Sequence, residues 1–167
     1  SKLTNLVEAL TAYNYVDATI KDHCMPNADF ARLMKAVLDR GLPFRFQAAG
    51  FSMAPFIYNR DIITVTASNK EFCLGEIAVL INPSDQHLVV HRVVEIRGGS
   101  YLVKGDNSQK SDGYVSKSDI FGVVVRIEHN GKSRTVGLGR ERVLIAFLSK
   151  LGLLKGSLVL LRPFIGS

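Results

Sequence analysis

The chain has 167 residues, room for one domain with a small appendage. A hydrophobic fraction of 47% excludes a disordered or solvating protein, and 2 cysteines with no Trp exclude a disulfide scaffold or an aromatic stacking platform. Lys and Arg number 21 against 15 Asp and Glu, leaving +6, a charge that suits nucleic acid or an acidic membrane surface without choosing between them.

In chain order, Leu3, Leu6, Val7 and Leu10 recur at helical spacing and predict a short first helix. Asn27 can cap a second, in which Phe30, Leu33, Met34, Val37 and Leu38 form one apolar face; Gly41 and Pro43 stop it. Two short helices are thin for an independent domain, so residues 1–42 read as an N-terminal helical extension packed on the rest. The second helix shows no basic, polar recognition face, which argues against a helix-turn-helix DNA reader and against nucleic acid as partner. No apolar h-region follows a basic start, so no secretory signal is expected. Cys24 and Cys73 lie outside any Cys-x-x-Cys arrangement and read as buried free thiols rather than zinc or redox groups.

From residue 43 to 137 the texture is β. Runs rich in β-branched residues at 44–49, 62–67, 76–81, 87–96, 101–104, 120–128 and 133–136 alternate with turn signals at 59–61, 82–85, 98–99, 105–107 and 130–131. Short strands without intervening helices predict a mainly β domain with a coiled antiparallel sheet. The last part, 138–167, is an apolar, helical tail. Val143, Leu144, Phe147, Leu148 and Leu151 form a stripe, and a second apolar run follows Gly152. As a span, the tail gains little, because Lys150 and Lys155 near its centre cost about 2.5–3.5 kcal/mol each. Residues 140–162 therefore read as lying at an anionic membrane surface, or else as packing on the core or on a second copy in a homodimer. The expected location is cytoplasmic or peripheral at a membrane.

Chemistry concentrates in four pieces: Gly50, Phe51, Ser52, Met53, Ala54 and Pro55; Asn59, Arg60 and Asp61; His91, Arg92, Val93 and Val94; and Lys104, Gly105, Asp106 and Asn107, followed by Asp112. A serine, a histidine and an aspartate are the types a hydroxyl nucleophile requires, since imidazole can take the serine proton and a carboxylate can fix its tautomer. Taken singly, each has a plainer reading: Ser52 as a turn former, His91 as a core histidine, and Asp106 and Asp112 as turn residues. A metal is not expected. His87 and His91 on a strand stand roughly 13 Å apart at about 3.3 Å per residue, too far for one ion. No phosphate-binding loop or other cofactor motif is found.

Together and in order, these pieces resemble the S24/S26 serine peptidase superfamily of type I signal peptidases and self-cleaving SOS repressors, over roughly residues 44–128. Residues 50–55 resemble the Gly-x-Ser-Met-x-Pro nucleophile box, 91–94 the His-Arg-Val-Val box and 104–107 the Lys-Gly-Asp-Asn box. Residues 75–79 and 120–124 resemble two further strands of that family. The histidine resembles the branch that uses His rather than Lys as base. The resemblance implies the fold of that superfamily and a serine endopeptidase acting on a leader-like peptide or protein. It implies Ser52 as nucleophile, His91 as general base and Asp112 as its orienting carboxylate, with Asp106 supporting the site or sharing that role. It also implies Gly50, Phe51, Met53 and Pro55 as the loop that meets substrate. Gly50 stands where many signal peptidases have a hydroxyl donor, so an oxyanion hole here would use backbone N–H groups. The alternatives are a catalytically weak or inactive peptide-binding or membrane-docking module on the same fold, or a self-cleaving regulator.

Overall fold

The computed structural model describes residues 16–17 and 27–154. The first predicted helix, Cys24 and the tail beyond Leu154 lie outside the described residues. The elements are β1 (Val16–Asp17), α1 (Asn27–Leu38), β2 (Phe44–Gln47), β3 (Ile62–Thr66), β4 (Ile77–Ile81), β5 (Leu88–Arg97) and β6 (Ser100–Lys104). They continue with β7 (Gly113–Val115), a 3₁₀ turn (Lys117–Asp119), β8 (Ile120–His129), β9 (Lys132–Arg134) and α2 (Arg142–Lys150).

The strands form one sheet in the order β1-β2-β3-β8-β4-β5-β6-β7, with β9 paired to the end of β8. Every pairing is antiparallel except β1 with β2. Register shifts at Thr64/Val65, Val79/Leu80 and Val93/Glu95 coil the sheet, as bulges do by adding local twist. The β8–β9 hairpin turns at Asn130 and Gly131, both at positive φ, the conformation that asparagine followed by glycine tolerates best.

The sheet is covered on both faces. On one, Leu33, Met34, Val37 and Leu38 of α1 pack over Phe44, Phe46, Ile63, Val65, Ile77, Val79, Val124 and Ile127. On the other lie Phe72, Ala78, Leu80, Val93, Tyr101, Val103, Val115 and Ile120. The alternation explains β4, whose apolar run from Ile77 to Leu80 is buried throughout because its odd and even residues enter different cores.

Three expectations change. The N-terminal extension, read as helical, also contributes a strand, β1, on the edge of β2. Cys73, expected buried, is a free and exposed thiol in the loop before β4, where its N–H donates to Glu76. The stripe predicted at 143–151 does not face the core as a whole. Helix α2 buries Ile145, Ala146 and Ser149, Ile145 packing with Phe56 and Leu154, and leaves Val143, Leu144, Phe147 and Leu151 outside. Among the described residues no helix is long and apolar enough to cross a membrane.

Candidate active site

Strand β2 runs into a loop whose neck is closed by backbone bonds from Ala48 to Asp61 (2.7 Å) and from Arg60 to Ala48 (2.9 Å). Gly50 takes φ +91°, and its N–H donates to Asn59 Oδ1 at 3.1 Å. Asp61 is buried, accepts the Tyr58 N–H at 2.8 Å and pairs with His129 at the end of β8. The tip is a turn in which Phe56 and Ile57 N–H both bond to Met53 O at 3.0 Å, and the Ala54–Pro55 peptide is cis. Ser52 sits on this tip.

His91, in the middle of β5 and opposite Ala78 of β4, is almost fully buried. Its Nε2 lies 3.0 Å from Ser52 Oγ, and its Nδ1 is hydrogen-bonded to Asp112 Oδ2. Both contacts are satisfied together when Nδ1–H donates to the carboxylate and Nε2 accepts the serine proton. Asp112 is positioned by its own N–H, bonded to Val103 O at 2.9 Å, where the chain turns from β6 into β7. Its second oxygen accepts Asn82 Nδ2 at 2.9 Å. Asn82 is buried and fixed in turn by the Ser84 N–H (2.9 Å) and hydroxyl (2.6 Å), both donating to its Oδ1. Ser52, His91 and Asp112 are thus brought into one chain of hydrogen bonds, with Asn82 behind it. In sequence Asn82 reads only as a turn residue; it meets Asp112 through the fold.

Asp106 is not in that chain. Its carboxylate receives Arg92 Nε (2.9 and 3.1 Å) and a terminal guanidinium nitrogen (2.7 Å), and both side chains are fully buried. Arg92 also donates to the carbonyls of Gly75 and Gly137 at 2.8 Å and stacks over Phe56. This pair fixes the segment that abuts the serine. Asn107 N–H donates to Ser52 O at 2.7 Å, and Asn107 Nδ2 to Phe51 O at 3.2 Å. Gly105 between them has no room for a side chain, since a Cβ there would lie 2.8 Å from Ser52 O and 3.0 Å from His91 Nε2. Lys104, also buried, donates to the carbonyl of Ser149 on α2.

Beside Ser52 runs a groove of about 300 Å³, walled by Phe30 of α1, by residues 46–50, and by Leu88, Val89 and Val90 of β5, with Met53 and Ile57 below. Of the loop residues expected to meet substrate, Gly50 and Met53 line it. Phe51, 64% exposed, and Pro55 stand outside it. The contribution of α1 has no signal in the sequence, where Phe30 reads only as part of a core face. Both strand walls are unpaired on the groove side among the described residues: β1 covers β2 only at Phe44 and Arg45, and β6 joins β5 only from Arg92 onward. No group of three or more His, Cys, Asp or Glu side chains placed for a metal ion occurs among the described residues.

A bulged antiparallel sheet carrying a serine on a tight loop beside a strand histidine defines a class of serine peptidase folds. A family profile described as Peptidase S24-like matches residues 14–125, about two thirds of the chain, and the chain belongs to that family. The match begins well before the motif-bearing region and takes in β1 and α1. No curated protein and no solved structure matches the chain.

Proposed function

We infer that the protein is a serine endopeptidase that cleaves an extended peptide segment of leader-like character. The observation that carries this reading is the continuous chain from Ser52 Oγ to His91 at 3.0 Å and on to Asp112. In the reaction, Ser52 Oγ attacks the scissile carbonyl carbon while its proton passes to His91 Nε2. The C–N bond then breaks as that proton goes to the leaving amine, which gives an acyl-enzyme. Water, deprotonated by the same nitrogen, releases the acid and restores the serine. Asp112 holds the imidazole tautomer and stabilises the imidazolium formed in each half. The Ser52 N–H, bonded to no acceptor among the described residues, is the backbone donor assigned to the oxyanion. Substrate would enter as a strand between the two unpaired walls, with its main chain bonded on both sides and apolar side chains directed into the groove.

The test is hydrolysis of a panel of peptides containing small apolar residues, followed by mass spectrometry. Ser52→Ala and His91→Ala should each abolish turnover, and Asp112→Asn should lower kcat on the order of 10⁴-fold, with unchanged circular dichroism. Normal turnover by Ser52→Ala would overturn the assignment. Peptide binding without turnover in the parent protein would move it to the peptide-binding reading.

One observation favours cleavage of this chain itself as a second reading. Strand β1 already lies on the edge of β2 and runs parallel to it, in the direction of Ser52. Incubation of the parent protein should then yield fragments at a rate independent of concentration, and Ser52→Ala should stay intact.

A further inference from the structure

Helix α2 is apolar on two sides. With 3.6 residues per turn, Val143, Leu144, Phe147 and Leu151 share an arc of about 100°, opposite the buried Ile145 and Ser149. All four are 48–57% exposed, and Leu153, just past the helix, is 49% exposed. A surface helix ordinarily presents charge on this side. The face is held rigidly. Gly152, at φ +71°, ends the helix with its N–H on Ser149 O and the Leu153 N–H on Leu148 O, while Lys104 reaches the Ser149 carbonyl from β6.

The chain that carries this face is net basic. From 140 to 167 there are five basic residues, Arg140, Arg142, Lys150, Lys155 and Arg162, against one acidic residue, Glu141. Glu141 accepts the N–H groups of Gly137 and Gly139, while Arg142 lies 3.6 Å from Glu76 and Lys150 3.0 Å from Glu95. Arg140 precedes the helix and is exposed. The same stretch continues apolar past the described residues, with Leu158, Val159, Leu160, Leu161, Phe164 and Ile165.

We propose that the outer face of α2 docks on an anionic lipid bilayer. Val143, Leu144, Phe147 and Leu151 enter the boundary between headgroups and acyl chains, with the exposed Arg140 and Lys150 toward the headgroups. Charge and apolarity select this occupant jointly. A twofold contact between copies through the face would bring two net-basic segments together, and nucleic acid would leave the apolar side chains without a partner. A bilayer with anionic headgroups takes both. The nine-residue α2 lies in the interface rather than crossing it.

The experiment is co-sedimentation of the full chain with vesicles of phosphatidylcholine alone or with about one third phosphatidylglycerol, at low and high salt. Partitioning onto the anionic vesicles is expected, with a fall of at least about tenfold on neutral vesicles or in high salt. Phe147→Glu and, as a milder change, Leu144→Gln should each lower it at least about fivefold with thermal melting unchanged, because both side chains are exposed. Ser52→Ala should bind as the parent does, which keeps this result separate from the peptidase reading. Failure to sediment with either vesicle would overturn the proposal, as would undiminished binding by both face variants. A dimer in light scattering that Phe147→Glu dissolves, with no vesicle binding, would assign the face to a second copy instead.

Discussion

Arg92 brings a full positive charge to a position with no exposed side-chain surface, and Asp106 is its counter-charge there. Desolvating two ions is costly, so the pair holds only because the guanidinium fork also finds the Gly75 and Gly137 carbonyls. Removing one partner leaves the other charged and buried. Asp106→Asn should therefore lower stability by about 3–5 kcal/mol, whereas Asp106→Leu combined with Arg92→Met should recover much of the loss; urea midpoints on the two variants check this. Activity should fall in both, because residues 105–107 lose the anchor that sets them against Ser52. The division of labour between Asp106 and Asp112 was only partly legible in the sequence. Both follow a turn-forming stretch, and what separates them is register: Asp112 N–H bonds to Val103 O, which turns its carboxylate toward His91. Asn82 was not legible at all, since its partner lies 30 residues away and no local pattern marks an asparagine as a carboxylate's support. Ser52 and His91 stood out because short boxes around them carry their own turn and strand signals.

At the scale of elements, α2 is tied to β5 by Lys150, whose Nζ lies 3.0 Å from Glu95. That contact is the main reason the Glu95 carboxyl is held below its usual value of 4.5; a hydrogen bond from Tyr114 adds to it, desolvation opposes it, and Arg97 contributes less. A carboxyl depressed in the folded state favours folding above its ordinary value and loses that contribution as pH falls below it. Melting temperature should therefore decline as pH drops below about 4.5, and Glu95→Gln should decline less over the same range while starting lower at neutral pH; calorimetry across that range checks it. Periodicity identified this helix but not its orientation. Ile145 and Leu148 on one side and Val143, Leu144 and Phe147 on the other are alike in apolarity, and the inward side is the one that packs with Phe56 and Leu154 and presents the Ser149 carbonyl to Lys104. Strand β7 is not legible for a different reason: it is three residues long, opens on a glycine and follows an aspartate, so its turn signals outweigh its β content. The longer strands were legible because each is a β-branched run bounded by turn residues.

For the molecule as a whole, the sheet order follows from no single stretch of sequence. Strand β8 lies between β3 and β4, joining chain segments that no local signal connects. Among the described residues, this order leaves the end of β2 from Phe46 and the start of β5 from Leu88 to Val90 with no strand on the groove side. Unpaired strand edges are ready templates for other chains, and proteins ordinarily blunt them with charge, proline or bulges. Here residues 46–50 and 88–90 contain no charged residue and no proline. The groove that would receive a substrate strand is therefore also a place where one copy could pair with another. A non-cleavable peptide that fills the groove should delay the onset of light scattering on warming, and a scrambled peptide of the same composition should not. The solubility of this protein would then depend on how often its groove is occupied, so that a cell short of substrate would hold the protein in its least colloidally stable form.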